Sequence, residues 1–222
     1  MGAALQAVAE CMAPPKDELD VTSAASCMKA VRTYQPDLII HAAAYTNALK
    51  AETEKADCWR VNVTGTENMA RAAHGRRFVY ISTDYVFDGR LGNYSEADIP
   101  NPLNFYGLTK LIGEYVVRQY PNTLILRAPF RADPPWRYER AFDDQFTSCR
   151  FVSEQAPEIA RAALGDEVGT LHIGGPRRSI LEMACEASPG QVGQMFRCEI
   201  QNLVLPRDVS LNSTRWECLR VQ

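Results

Sequence analysis

Residues 78–89 read FVYISTDYVFDG. Phe78 to Ser82 is an unbroken apolar run that closes on Thr83 and Asp84, and a short run of this kind bounded by turn residues is the mark of a strand buried on both faces, as in parallel sheets. The same pattern recurs on either side. Asp37 to Ala44 (DLIIHAAA) is such a run upstream, and Thr123 to Arg127 (TLILR) is another downstream. Between the first two, residues 53–73 put Ala56, Trp59, Val63, Met69, Ala70 and Ala73 on one broad helical face. Between the second and third, residues 105–119 return to helical period through Leu108, Leu111, Ile112, Tyr115 and Val116. Strand, helix, strand, helix, strand at these lengths predicts βαβ units in a Rossmann-like, doubly wound α/β fold, with right-handed crossovers placing helices on both faces of a parallel sheet.

The flanks are less regular. Residues 3–10 (AALQAVAE) read as a helix, and a brief strand is expected in the Pro-containing stretch 11–16. Thr22 or Ser23 is the expected N-cap of a helix through Ala25, Met28, Ala30 and Val31, which Pro36 stops. After Arg127 the chain becomes Pro-rich and aromatic (ADPPWRYER), and a second, smaller region is expected from residue 131 to 222. Within it EQAPEIARAALG reads as a helix closed by Gly165, TLHIGG as a strand, and Ser179 with Glu182 as a capping box that opens the helix SILEMACEA.

Composition narrows the function classes. With 222 residues, 46% hydrophobic and 23% charged, the chain is an ordinary globular one, neither disordered nor fibrous. A net charge of −3 with scattered charges leaves no basic face, so nucleic acid is not an expected partner. No apolar run approaches the ~18 residues that a membrane helix requires, and no secretory pattern opens the chain, so a cytoplasmic location is expected. The seven cysteines have neither paired spacing nor histidines at ligand distance; they read as free thiols, and no metal site is expected.

The residues able to do chemistry begin with Tyr106 and Lys110. Four apart on a helix, they project from one face, and an ammonium beside a phenol brings the phenol's pKa down from about 10 toward working conditions. Such a tyrosine can protonate a developing alkoxide. The pair alone equally fits a surface lysine beside a half-buried tyrosine. Thr83 stands where a buried strand ends, which is where ligands of open α/β sheets bind, and its hydroxyl could polarise a carbonyl; a turn-capping threonine is the competing reading.

Taken together, PDLIIHAAAYTNALKAE (36–52), WRVNVTGTENMARAA (59–73), ISTDYVFDG (81–89) and IPNPLNFYGLTKLIGE (99–114) closely resemble the extended short-chain dehydrogenase/reductases, in particular the dTDP-4-dehydrorhamnose reductase branch. The resemblance covers about residues 17–130. It implies a nucleotide-cofactor-binding domain over residues 1–130, a substrate-side region over 131–222, NADPH or NADH as cofactor, a nucleotide-linked 4-keto-6-deoxy sugar as substrate, and a homodimer as the assembly it allows. It makes Tyr106 the catalytic acid, Lys110 its electrostatic partner and a ribose ligand, and Thr83 the group that polarises the substrate carbonyl, with Asp84 contacting the sugar. Asn62 falls where the superfamily supports the lysine through water. Asp20 and Val21 match the segment beside the adenine, and Ala42, Ala43, Ala44 and Tyr45 the strand end that passes under the cofactor.

Three departures accompany the match. The family's Gly-x-x-Gly-x-x-Gly turn, which holds the cofactor pyrophosphate on a helix N-terminus, has no counterpart beyond Gly2. A shortened chain, a start assigned too late and a lost cofactor function are the readings this leaves open. The stretch between Arg127 and Asp143 is short, and Leu49 stands where the branch has an acidic residue. Trp136, Arg137 and Tyr138 are expected either to line the sugar-nucleotide site or to sit in an exposed loop. The same branch includes the regulatory β subunit of methionine adenosyltransferase, so a non-catalytic binding subunit is the alternative to an enzyme.

Overall fold

The computed structural model describes residues 2–6 and 10–221. In chain order its elements are α1 (Gly2–Gln6), α2 (Ala24–Tyr34), β1 (Leu38–His41), α3 (Ala48–Ala51), α4 (Lys55–Trp59), α5 (Gly65–Ala72), β2 (Arg77–Ser82), α6 (Phe105–Val117) and β3 (Thr123–Arg127). There follow β4 (Phe130–Arg131), β5 (Arg140–Phe142), β6 (Phe146–Thr147), β7 (Arg150–Phe151), α7 (Val152–Leu164), β8 (Gly169–His172), β9 (Arg178–Ser179), α8 (Ile180–Ala187), β10 (Gly193–Met195) and α9 (Thr214–Leu219).

The three apolar runs form adjacent parallel strands, as their burial pattern requires. The sheet order is β1-β2-β3-β8, with Ile40 beside Val79 and Tyr80 beside Ile125. Because strand side chains alternate, the sheet makes two cores. Val79, Ile81, Leu124 and Leu126 face Ile159 and Ala163 of α7 and Trp216 of α9. Phe78, Tyr80 and Ile125 point the other way, onto Val31 of α2, Met69 of α5 and Val117 of α6.

Several elements differ from expectation. No strand forms at 11–16: Pro14 and Pro15 remove backbone donors, and the chain turns instead, with Glu18 and Leu19 donating to the Pro15 carbonyl. The expected helix at 3–10 is described only over Gly2–Gln6, and residues 7–9 lie outside the described residues. The helix expected over 53–73 begins earlier and breaks into α3, α4 and α5, with α4 passing into α5 through a π-helical turn, Arg60–Thr64.

The region after residue 130 does not stay apart from the sheet. α7 crosses back over one face, and β8 joins as the fourth strand. What remains is three two-stranded pieces, β4 with β7, β5 with β10 and β6 with β9. Ser23 caps α2, accepting from the Ser26 amide. The capping box at Ser179 and Glu182 forms as its spacing requires, each side chain accepting from the other's amide. All seven cysteines are free, and among the described residues no helix is long and apolar enough to cross a membrane and no side-chain cluster could hold a metal.

Candidate active site

The helix that bears Tyr106 and Lys110 is held against the sheet by two glycines. A Cβ on Gly107 would meet the Tyr85 carbonyl oxygen at 2.2 Å, and one on Gly113 would meet the Tyr80 hydroxyl at 2.2 Å. Without side chains at these positions α6 lies directly on the end of β2. Asn104 starts the helix by accepting from the Gly107 amide at 2.9 Å. The face that results buries Gly107, Lys110, Glu114 and Val117, at alternating three and four spacing.

Lys110 is therefore buried. Its Nζ donates to the Ile81 carbonyl at 2.7 Å and sits 4.1 Å from the centre of the Tyr80 ring. Burial pulls its pKa down to about 7, against the opposing influence of Glu114 and Cys58. Tyr106 is half-buried, and loss of water around the phenol pushes its pKa up, with the neighbouring Thr83 hydroxyl working the other way. The phenol was expected to be lowered by the ammonium. In the fold the ammonium gives one of its donors to the Ile81 carbonyl and lies over the Tyr80 ring, and burial decides the direction for Tyr106.

Thr83, Asp84, Tyr106 and Lys110 line one cavity of about 260 Å³ beyond the carboxyl ends of β2 and β3. Asp84 is buried, and its carboxylate accepts from Thr147 at 2.7 Å and from Thr83 at 3.1 Å. Burial raises its pKa, while those two hydroxyls and Arg131 oppose the rise. Ala42 and Ala44 also line the cavity; Ala43 and Tyr45 are not on its wall, and the Tyr45 hydroxyl instead donates to Glu54.

Asn62 lies in the π-helical turn, a distortion that commonly marks functional positions. Its side chain accepts from the Tyr45 amide at 2.7 Å and donates to the Tyr45 carbonyl and the Thr109 hydroxyl. It thus ties the end of β1 to α6, the helix of Lys110. Asp20 and Val21 are elsewhere. The Asp20 carboxylate, held low by Thr22, caps its own turn at 2.9 Å from the Thr22 amide, and the Val21 carbonyl accepts from Asn68. Leu5 of α1 packs under the sheet against the α7 core.

Comparison with known proteins places this arrangement. Residues 2–131 match the family model described as the RmlD substrate binding domain. The chain belongs to that family. In sequence it is 40% identical over 122 residues to a dTDP-4-dehydrorhamnose reductase of Aggregatibacter actinomycetemcomitans, covering 53% of this chain and 42% of the relative. It is 42% identical over 100 residues to methionine adenosyltransferase 2 subunit beta of Danio rerio, covering 45% of this chain and 31% of that one. The chain thus spans less than half the length of these curated relatives. In structure it is similar to a dTDP-4-dehydrorhamnose reductase from Bacillus anthracis in complex with NADP, with a TM-score of 0.89 and 25% identity over 98% of this chain and 88% of that one.

Two features of this RmlD-family site were not foreseen. One is a buried charge network behind it: Arg127 donates to both Glu114 oxygens at 2.9 and 2.7 Å, and Ser82 donates to Glu114 at 2.6 Å. Arg127 also meets His172 Nε2 at 3.3 Å, and His172 Nδ1 donates to the Tyr94 carbonyl at 2.9 Å, so the ring is neutral. Burial and Arg127 hold the His172 pKa down to about 4. Charged residues inside otherwise apolar runs, Glu114 in α6 and Arg127 closing β3, were the available signal. The other is that Arg131 and Cys149, which no motif in the sequence singles out, join the cavity wall beside Gln145 and Thr147 of the substrate-side region that the resemblance implies. Trp136 is half-buried, whereas Arg137 and Tyr138 are exposed.

Proposed function

We propose that the chain carries the reductive chemistry of its family, the transfer of hydride to the keto carbon of a nucleotide-linked 4-keto-6-deoxy sugar, with NADPH or NADH as cofactor. The observation that carries this reading is the convergence of Thr83, Tyr106 and Lys110 on one cavity beyond the strand ends. The nicotinamide-ribose end of the cofactor is compatible with the residues present. Ala42 and Ala44 bring only methyl groups to the cavity, and the Lys110 ammonium has given only one hydrogen bond to protein, so donors remain for a ribose. Those residues would hold it, and when bound it supplies the hydride.

Each remaining role belongs to this chain's own side chains. The Thr83 hydroxyl, now donating to Asp84, turns to the substrate oxygen and polarises the carbonyl. The Tyr106 phenol, kept protonated by burial, gives its proton to that oxygen as charge develops. Lys110, itself buried, then stabilises the phenolate left behind. Asp84, fixed by Thr147, orients a sugar hydroxyl.

The test pairs binding with turnover. NADPH at 100 times its Kd should stabilise the protein by about 2.7 kcal/mol in a thermal shift. Tyr106→Phe should keep that shift while cutting NADPH oxidation by roughly 10²-fold or more. A mutant that turns over like the wild type removes Tyr106 from the role, and a wild type with no shift at millimolar NADPH removes the reductase reading. The similarity to methionine adenosyltransferase 2 subunit beta supports a second reading, a binding subunit. That reading expects association with a catalytic methionine adenosyltransferase chain and no NADPH oxidation.

A further inference from the structure

Two cations reach the cavity wall, Lys110 and Arg131. Lys110 is anchored on the Ile81 carbonyl. Arg131, half-buried at the end of β4, makes no ion pair and no side-chain hydrogen bond among the described residues. Its guanidinium lies over the Trp136 ring, 5.5 Å from the centroid. An aromatic face holds the guanidinium plane but uses none of its five N–H groups, so the fork stays available to an anion that can take two of them at once.

The one carboxylate on the cavity wall does not serve as that anion. Asp84 spends its oxygens on Thr83 and Thr147. Arg131 reaches it only through its field, which also holds the Tyr85 phenol and the Cys149 thiol below where burial alone would put them. A second group on the same wall is equally unpaired. Gln145 is 1% exposed and gives its amide N–H to the Tyr85 hydroxyl at 3.0 Å, yet its Oε1 has no donor. A buried acceptor without a donor and a cation without an anion, on one wall, fit a ligand that has both a hydroxyl and a phosphate.

Both groups come from outside the four-stranded sheet, Arg131 from β4 and Gln145 from the turn before β6, whereas Thr83 follows β2 and Tyr106 lies on α6. A sugar with its carbonyl at Thr83 and Tyr106 leaves its phosphates to the polar groups elsewhere on the cavity wall, and Arg131 and Gln145 are the ones with unpaired atoms there.

Resting on the reading of the substrate as a nucleotide-linked sugar, we infer that Arg131 binds the diphosphate of that substrate. The cofactor also has phosphates, so the test separates the two. Calorimetric titrations of dTDP and of NADPH are run on wild type, Arg131→Gln and Arg131→Lys, with thermal melts to establish that each variant is folded. The expected result is a dTDP affinity lowered roughly tenfold to a hundredfold in Arg131→Gln, an intermediate loss in Arg131→Lys, which keeps the charge without the fork, and unchanged NADPH affinity. The inference is overturned by equal dTDP affinity in all three proteins, by a loss confined to NADPH, or by a wild type that does not bind dTDP. Failure of the reductase reading itself would show separately, as a wild type that binds dTDP normally but does not oxidise NADPH.

Discussion

The two halves of the cavity are built in different ways. On one side, β2, β3 and α6 bring Thr83, Tyr106 and Lys110, held by parallel strands in continuous register and by a bidentate ion pair buried behind them. On the other, Arg131, Gln145, Thr147 and Cys149 come from two-stranded pieces and the turns between them. The first arrangement fixes atoms within a rigid frame, which suits proton transfer. The second can vary without disturbing the sheet, which suits recognition of one substrate among many.

The largest effect that would break this contrast is expected at Glu114. Replacing it with Gln leaves Arg127, which is 1% exposed, as an uncompensated buried charge. The cost should be about 3–5 kcal/mol, read by denaturant unfolding. A loss below about 1 kcal/mol would mean that the rigid side does not depend on its charge network.

A smaller effect of opposite sign is expected at Lys110. Its folded-state pKa of about 7 lies below the unfolded value of 10.5. Between these values the unfolded chain binds the extra proton and the folded one does not, so stability rises with pH across that window. At and below pH 7 the buried ammonium is a net burden, and Lys110→Met should stabilise the protein by roughly 1–4 kcal/mol while abolishing turnover. The gain should shrink as pH is raised toward 10, and a gain that stays constant with pH would refute this origin.

The smallest effect concerns the other half. Ser179→Ala removes the cap that accepts from the Glu182 amide and should cost about 1 kcal/mol. Hydrogen exchange sharpens the comparison further: amides of α8 should lose protection in this variant while those of β2 and β3 keep theirs. Equal loss in both would show that the two halves unfold as one unit.

The half of the cavity built on β2 and α6 was legible in the linear chain because its signals are local. Apolar runs of strand length identify β1, β2 and β3, and Tyr106 and Lys110 are adjacent on one turn of helix whatever surrounds them. Asn62 was singled out for a role at the lysine, and the fold shows its amide tying the Tyr45 backbone to Thr109. The strand expected at 11–16 failed because Pro14 and Pro15 outweigh any apolar pattern there. Gln145 and Thr147 were legible only as part of the substrate-side region that the resemblance implies, and Arg131 was not singled out, since no local pattern ties it to a cavity lined by the end of β2.

The three strand-length apolar runs, the capping box of Ser179 with Glu182, and the placing of Tyr106 and Lys110 on one turn of one helix were determined by sequence alone, because each depends on residues close together in the chain. The return of β8 to the sheet, the ion pair of Glu114 with Arg127, and the downward shift of the Lys110 pKa were decided only in three dimensions. The physical reason is that burial and long-range pairing are properties of the packed molecule. A lysine's charge is cheap or costly according to which distant elements exclude water from it, and no local pattern records that.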